Sequence, residues 1–213
     1  MSYIYSLLPS IISGLFTTLE VFIITLLFSI PLGFVVAFGR TSKIKIISAA
    51  IQFYILIMRG TPLLLQLVFV FFGLPYVGIT LDRKTAALVT FALNYAAYFA
   101  EIFRGGIESI SVGQYEGAAV LGLSKRRTLT RIILPQVFKI VLPSVGNEVI
   151  TLVKDTSLVY VVGLGELLRA GQIATNRDAS LVPLIAVGVV YLLIIMVLTE
   201  VFKKLELKYS YYK

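Results

Sequence analysis

The chain has 213 residues, of which 58% are hydrophobic and only 14% charged, far more apolar than a soluble domain of this length needs to fill one core. Its formal charge of +8 does not point to nucleic acid, because the basic residues sit at the ends of apolar runs and not on an interleaved basic and aromatic surface. With no Cys and no His, the sequence excludes thiol chemistry, disulfides, imidazole-based metal sites and histidine acid/base catalysis, and no metal site is expected.

The N-terminus, MSYIYSLLPS, has neither a basic leader nor a small-residue cleavage pattern, so the first apolar block reads as a retained membrane helix. Residues 21–39, 63–81 and 181–199 are uncharged runs, each long enough to cross about 30 Å of hydrocarbon as a helix. Residues 46–58 are apolar too, but they run through Arg59-Gly60-Thr61-Pro62 straight into the block at 63. A separate crossing would need a longer polar connection, so 46–81 is read as one interrupted second span; a six-crossing alternative stays open. Residues 85–103, apolar apart from Asn94 and Glu101, and residues 132–153 add a third and a fourth span, and 181–199 becomes the fifth. Residues 156–180, interrupted by Gly163, Gly165 and Gly171, are too polar to cross and read as a short helix or re-entrant element at the outer face.

Orientation follows from the basic residues of the short loops. Arg40, Lys43 and Lys45 follow span one, Lys125, Arg126, Arg127 and Arg131 lie between spans three and four, and Lys203, Lys204, Lys208 and Lys213 follow span five. Five crossings put all three groups on one side. The expectation is a multi-pass cell (inner or plasma) membrane protein with its N-terminus outside and its C-terminus in the cytoplasm.

The segment 111–127 interrupts this apolar pattern. Ser111 is suited to cap a short helix, and Glu116 lies early in it, where a carboxylate complements the positive helix end. Gly117, Ala118 and Ala119 give that helix a face with almost no side chain, Gly122 suits a left-handed stop, and Ser124 can cap a second helix carrying Lys125, Arg126 and Arg127. Taken alone, the basic residues are an ordinary positive-inside loop.

Spacing changes that reading. Glu116, Ala118, Gly122, Ile132, Leu134 and Pro135 resemble the EAA signature of ABC importer permeases, with Gly117 in place of the first alanine. RGTPLLLQ (59–66), NYAAYFAEIFRGGIESI (94–110), GQYEGAA (113–119) and KDTSL (154–158) resemble the permease subunits of polar amino acid importers of the histidine/lysine/arginine/glutamine type. The resemblance covers nearly the whole chain. It implies an all-α integral membrane protein of five transmembrane helices with a cytoplasmic coupling helix, the type I ABC importer permease fold, as a single domain over 1–213. It implies ATPase coupling through Gln114, Glu116, Gly117, Ala118, Ala119 and Gly122 in the 111–127 loop. The implied partners are ATP-binding cassette ATPase subunits, a second permease subunit, here expected as a homodimer, and an extracellular or periplasmic solute-binding protein. No cofactor is expected on this chain; ATP and magnesium belong to the partner ATPase.

Charges inside membrane segments are costly and face a cavity or a partner. Asn94 and Tyr98 lie four apart on one face of span three; Asp155, Thr156 and Ser157 end span four; Arg59 stands at a break where a guanidinium could hold an α-carboxylate. With Met58, Thr61 and Gln66 these residues are expected to line a midplane pocket for a polar, basic-leaning amino acid. Glu101 and Arg104, three apart, are expected as an ion pair or gate, and Glu20 as a tether between helices. There is no phosphate-binding loop, so the chain is expected to be a transport subunit and not an enzyme. An ion-coupled secondary amino acid transporter is the other reading, although no internal repeat is found.

Overall fold

The computed structural model describes residues 2–209, and Lys213, counted above with the last basic group, lies outside the described residues. Its elements are α1 (Ser2–Arg40), α2 (Lys45–Gly60), α3 (Leu63–Val68), α4 (Arg83–Glu108), α5 (Val112–Val120), α6 (Lys125–Thr128), α7 (Leu134–Asp155), α8 (Leu167–Asp178) and α9 (Val182–Tyr209). A π turn at Phe69–Gly73 and a 3-10 turn at Leu74–Val77 prolong α3, a π turn at Leu129–Ile133 joins α6 to α7, and a 3-10 segment at Thr156–Val162 prolongs α7. No strand occurs among the described residues.

Among the described residues, four helical stretches are long and apolar enough to cross a membrane: Tyr5–Arg40, Arg83–Glu108, Lys125–Val162 and Val182–Tyr209. The fifth is a pair, Lys45–Gly60 and Leu63–Val77, bent by 104° at its break. Local chemistry explains the bend. Pro62 cannot donate to a helical ladder and pushes its predecessor into extended backbone, and Thr61 adopts φ −122°, ψ 149°. The Thr61 backbone N–H and hydroxyl both donate to the Ile57 carbonyl, at 3.2 and 2.8 Å, closing α2. Asn94 and Gln66 satisfy further groups at the break, as described below.

α1 differs from the sequence expectation. It begins at Ser2, not near residue 21, and its 39 residues would span about 58 Å if straight, well beyond the hydrocarbon thickness. The extra turns are held by α8: the Leu167 N–H donates to Thr18 Oγ1 at 3.1 Å, and the Tyr3 hydroxyl donates to Asp178 Oδ2 at 2.7 Å. Glu20 therefore sits midway along α1, where it is ion-paired with Lys84 at the start of α4.

α4 is the central helix. Phe91, Tyr95 and Phe99 are buried against Val21 and Phe22 of α1, Leu67 of α3 and Val149, Leu152 and Val153 of α7. Its buried alanines, among them Ala86, Ala96, Ala97 and Ala100, let α1 lie close. At Gly33 the approach is so tight that an added methyl group would lie 2.7 Å from Cβ of Phe99. α9 is buried mainly at Pro183 and Val187 and leaves Ile185, Val189, Leu192, Met196 and Val197 exposed, as suits a helix that faces lipid.

Candidate functional site

The break in the second span opens into a cleft of about 560 Å³ between α2, α4 and α7, lined by Arg59, Thr61, Asn94, Tyr98, Glu148 and Asp155 among others. Arg59 stands on one wall at the last turn of α2, its side chain 43% exposed and its guanidinium 5.2 Å from the centre of the Tyr98 ring. Glu148, Thr151 and Asp155 line the cleft from α7 at helical spacing, and Leu158 follows in the 3-10 segment that prolongs it. The Tyr95 hydroxyl donates to Asp155 Oδ2 at 2.7 Å and fixes that carboxylate against α4. The cleft thus opposes one guanidinium to two carboxylates.

Asn94 is buried behind the break and holds it together. Its Nδ2 donates to the Met58 carbonyl at 2.7 Å and to Gln66 Oε1 at 2.9 Å, while Gln66 Nε2 donates to Met58 O at 3.0 Å and to Thr61 Oγ1 at 2.8 Å. Of the nine residues expected to line a pocket, the structure brings Arg59, Thr61, Asn94, Tyr98 and Asp155 to the cleft surface. Met58 and Gln66 stand behind it as supports. Thr156 is fully buried, its hydroxyl donating to the Val153 carbonyl at 2.6 Å, and neither it nor Ser157 lines the cleft. Tyr95, Glu148 and Thr151 were not in the expected set. Glu148, an intramembrane charge expected to face a cavity or a partner, joins the pocket because it lies seven residues, two helical turns, before Asp155.

Glu101 and Arg104 form a two-pronged ion pair, Nε to Oε1 at 3.0 Å and Nη2 to Oε2 at 2.8 Å, and Arg104 Nη1 also reaches Glu108 Oε2 at 2.5 Å. Arg59 Nη1 lies 3.8 Å from Glu101 Oε2, outside direct hydrogen-bonding distance.

α5 is a second surface of interest. The Ser111 hydroxyl accepts from the Gly113 N–H, Gly122 takes φ +70°, and Ser124 accepts from the Arg127 N–H, so each terminus is made by the residue type that such a terminus requires. Gln114, Glu116, Gly117 and Ala119 are exposed, beside Val120 at 88% and Leu121 at 77% exposure. Ala118 departs from the expected arrangement: at 2% exposure it packs into its own chain, so the open small-residue face is Gly117 and Ala119.

A family profile described as the binding-protein-dependent transport system inner membrane component matches residues 29–210. The chain belongs to that family. The permease is 38% identical over 203 residues to the arginine transport system permease protein ArtQ of Bacillus subtilis (strain 168), covering 94% of this chain and 93% of the relative. It is 38% identical over 208 residues to the glutamine transport system permease protein GlnP of Escherichia coli (strain K12), covering 96% and 95%, and 35% identical over 206 residues to the L-cystine transport system permease protein TcyB of Bacillus subtilis (strain 168), covering 96% and 88%. A solved amino acid ABC transporter with histidines superposes with a TM-score of 0.90 at 31% identity over 97% of both chains. The MetNI methionine ABC transporter, in an inward-facing conformation, shares the fold with a TM-score of 0.73 at 17% identity over 98% of both chains.

The permease is therefore an all-α, multi-pass membrane component of an amino acid ABC importer, with the type I importer permease fold. Near-equal identity to arginine, glutamine and cystine permeases means that overall similarity does not select a substrate.

Proposed function

We propose that the permease moves a polar, basic amino acid into the cell by alternating access, driven by a separate ATPase. The observation that carries this reading is the charge arrangement of the cleft, with Arg59 across from Glu148 and Asp155. A guanidinium suits an α-carboxylate, and one carboxylate suits an α-ammonium. The second carboxylate is then left for a cationic side chain. Asn94 and Tyr98 supply neutral polar surface between them.

The chain has no phosphate-binding loop, so ATP and magnesium are assigned to a partner. The exposed face of α5, with Glu116, Gly117, Ala119 and the apolar Val120 and Leu121, is the docking handle for that ATPase. Closure of a nucleotide-bound ATPase pair would draw two such handles together and shift the spans between outward and inward access. The cleft is open on the side where Arg59 and Thr61 are exposed, and a second copy of this chain, as a homodimer, would close it. A solute-binding protein delivers the amino acid at the outer face, with the N-terminus outside and the basic loops cytoplasmic. An ion-coupled carrier is not favoured, because the relatives are ABC transport permeases.

Radiolabelled uptake by the assembled importer after Asp155→Asn and Asn94→Ala tests the cleft. A raised half-saturating concentration or a loss of transport in both supports it, and unchanged affinity and rate in both removes it.

A further inference from the structure

A second cavity of about 370 Å³ adjoins the cleft and shares Arg59 and Gly60 with it. Arg40, Gln52, Arg59 and Glu101 supply its polar lining, from the last residue of α1, one face of α2 and the lower half of α4. Gln52 and Arg59 are seven residues apart, so this cavity extends about 10 Å along α2, away from the break and toward the basic loop that carries Lys43 and Lys45.

Its charge balance is the reverse of the cleft's. Glu101 is the one carboxylate lining it among the described residues, and both of its oxygens are already held by Arg104. Arg40 is anchored from the other side: its Nη1 donates to Ser48 Oγ at 2.9 Å, and Ser48 Oγ donates to the Arg40 carbonyl at 2.8 Å. That bond uses one of five guanidinium donors. Two arginines therefore border one cavity whose only carboxylate is committed elsewhere, and an arginine fork beside an open cavity is a site for a carboxylate or another planar anion.

We infer that this cavity is an exit station for the transported amino acid: Arg59, common to both chambers, passes the α-carboxylate from the cleft toward Arg40, with Gln52 along the way. The cleft binds both ends of a zwitterion, whereas the vestibule offers hold on the carboxylate alone. Release is thereby favoured one end at a time, and Arg40 is a binding residue of the inward-facing state. The inference rests on reading the cleft as the substrate site.

The test uses the assembled importer in liposomes with ATP enclosed, and whichever of radiolabelled arginine, glutamine or cystine it carries fastest. Arg40→Gln is expected to lower the maximal uptake rate about tenfold while the external half-saturating concentration stays within twofold. Unlabelled amino acid preloaded in the lumen is expected to slow wild-type uptake by occupying the exit, and to slow uptake by Arg40→Gln less. Arg40→Lys is expected to recover part of the rate, because it keeps the charge and loses only the two-pronged fork. A wild-type rate in Arg40→Gln overturns the inference, as does a loss that Arg40→Lys does not recover, which would assign Arg40 to the α1–α2 corner alone. Asp155→Asn and Asn94→Ala, run in parallel, separate the two readings: if they alter uptake and Arg40→Gln does not, the exit station falls and the cleft stands; if neither alters uptake, both fall.

Discussion

Tyr95 donates its phenolic hydrogen to Asp155 Oδ2 at 2.7 Å, so the carboxylate that ends α7 is held in place by the central helix α4. Tyr95 is itself buried beside Phe91 and Phe99, which fixes the ring before the hydroxyl reaches the cleft. Tyr95→Phe keeps the ring and removes only this bond. Losing one hydrogen bond corresponds to about 1–1.5 kcal/mol. The half-saturating concentration for uptake should rise about five- to tenfold with little loss of folded protein, and an unchanged value would show that Asp155 does not need this support.

Asn94 bonds both the last turn of α2 and the first turns of α3 across the break. Asn94→Ala leaves the Met58 carbonyl with one donor fewer and takes one partner from Gln66. A buried group left unpaired costs about 1–3 kcal/mol, so the apparent melting temperature of the purified protein should fall by several degrees. Gln66→Leu should give a loss of similar size, and the double variant should lose less than the sum, because both act in one network.

The same substitution at two glycines is expected to have opposite signs. At Gly33 an added methyl group would meet Phe99 at 2.7 Å and the Ala96 carbonyl oxygen at 3.0 Å, so Gly33→Ala should force α1 from α4 and destabilise by about 1–3 kcal/mol. At Gly117 nothing lies within 4 Å, so Gly117→Ala should stabilise α5 by about 0.5–1 kcal/mol. Thermal unfolding of the two variants side by side checks both signs.

Asp178 gives a pH dependence outside the spans. The Arg177 guanidinium first, and then the Tyr3 hydroxyl, hold its carboxyl down to about 2. A carboxyl depressed in the folded state contributes stability that is complete above its unfolded value, near 4, and is lost as pH falls through about 2. Hydrogen exchange in α8, corrected for the intrinsic rate, should therefore accelerate between pH 4 and pH 2. Tyr3→Phe should weaken α8 protection at neutral pH and flatten that dependence. Protection that is constant across this range would mean that the Tyr3–Asp178–Arg177 cluster does not hold α8.

Much of the architecture was legible because each feature depends on neighbours in sequence. Pro62 dictates the break, Ser111, Gly122 and Ser124 dictate the termini around α5, and Glu101 and Arg104 are one turn apart. What the sequence left open depends on the rotation of helices about their axes. Nothing local told that Ala118 would turn inward while Gly117 and Ala119 stay exposed, or that Thr156 would face the core while Asp155 faces the cleft. Adjacent residues differ by about 100° on a helix, and tertiary packing decides which of them meets the cavity. The length of α1 was hidden for a related reason: Pro9 and the polar residues Ser2, Ser6, Ser10 and Ser13 blur its first turns, and their partner α8 lies some 150 residues away.

Reconstitution decides whether α5 is the point at which a nucleotide-driven partner moves this permease. Vesicles holding the permease with the solute-binding protein outside and ATP inside are compared with and without the ATPase subunits. Amino acid should accumulate only when the ATPase is present, and accumulation should fall at least tenfold when Ala119→Arg places a bulky charge on the exposed face. Accumulation at full rate without the ATPase, or full transport by Ala119→Arg, would rule out α5 as the driven element.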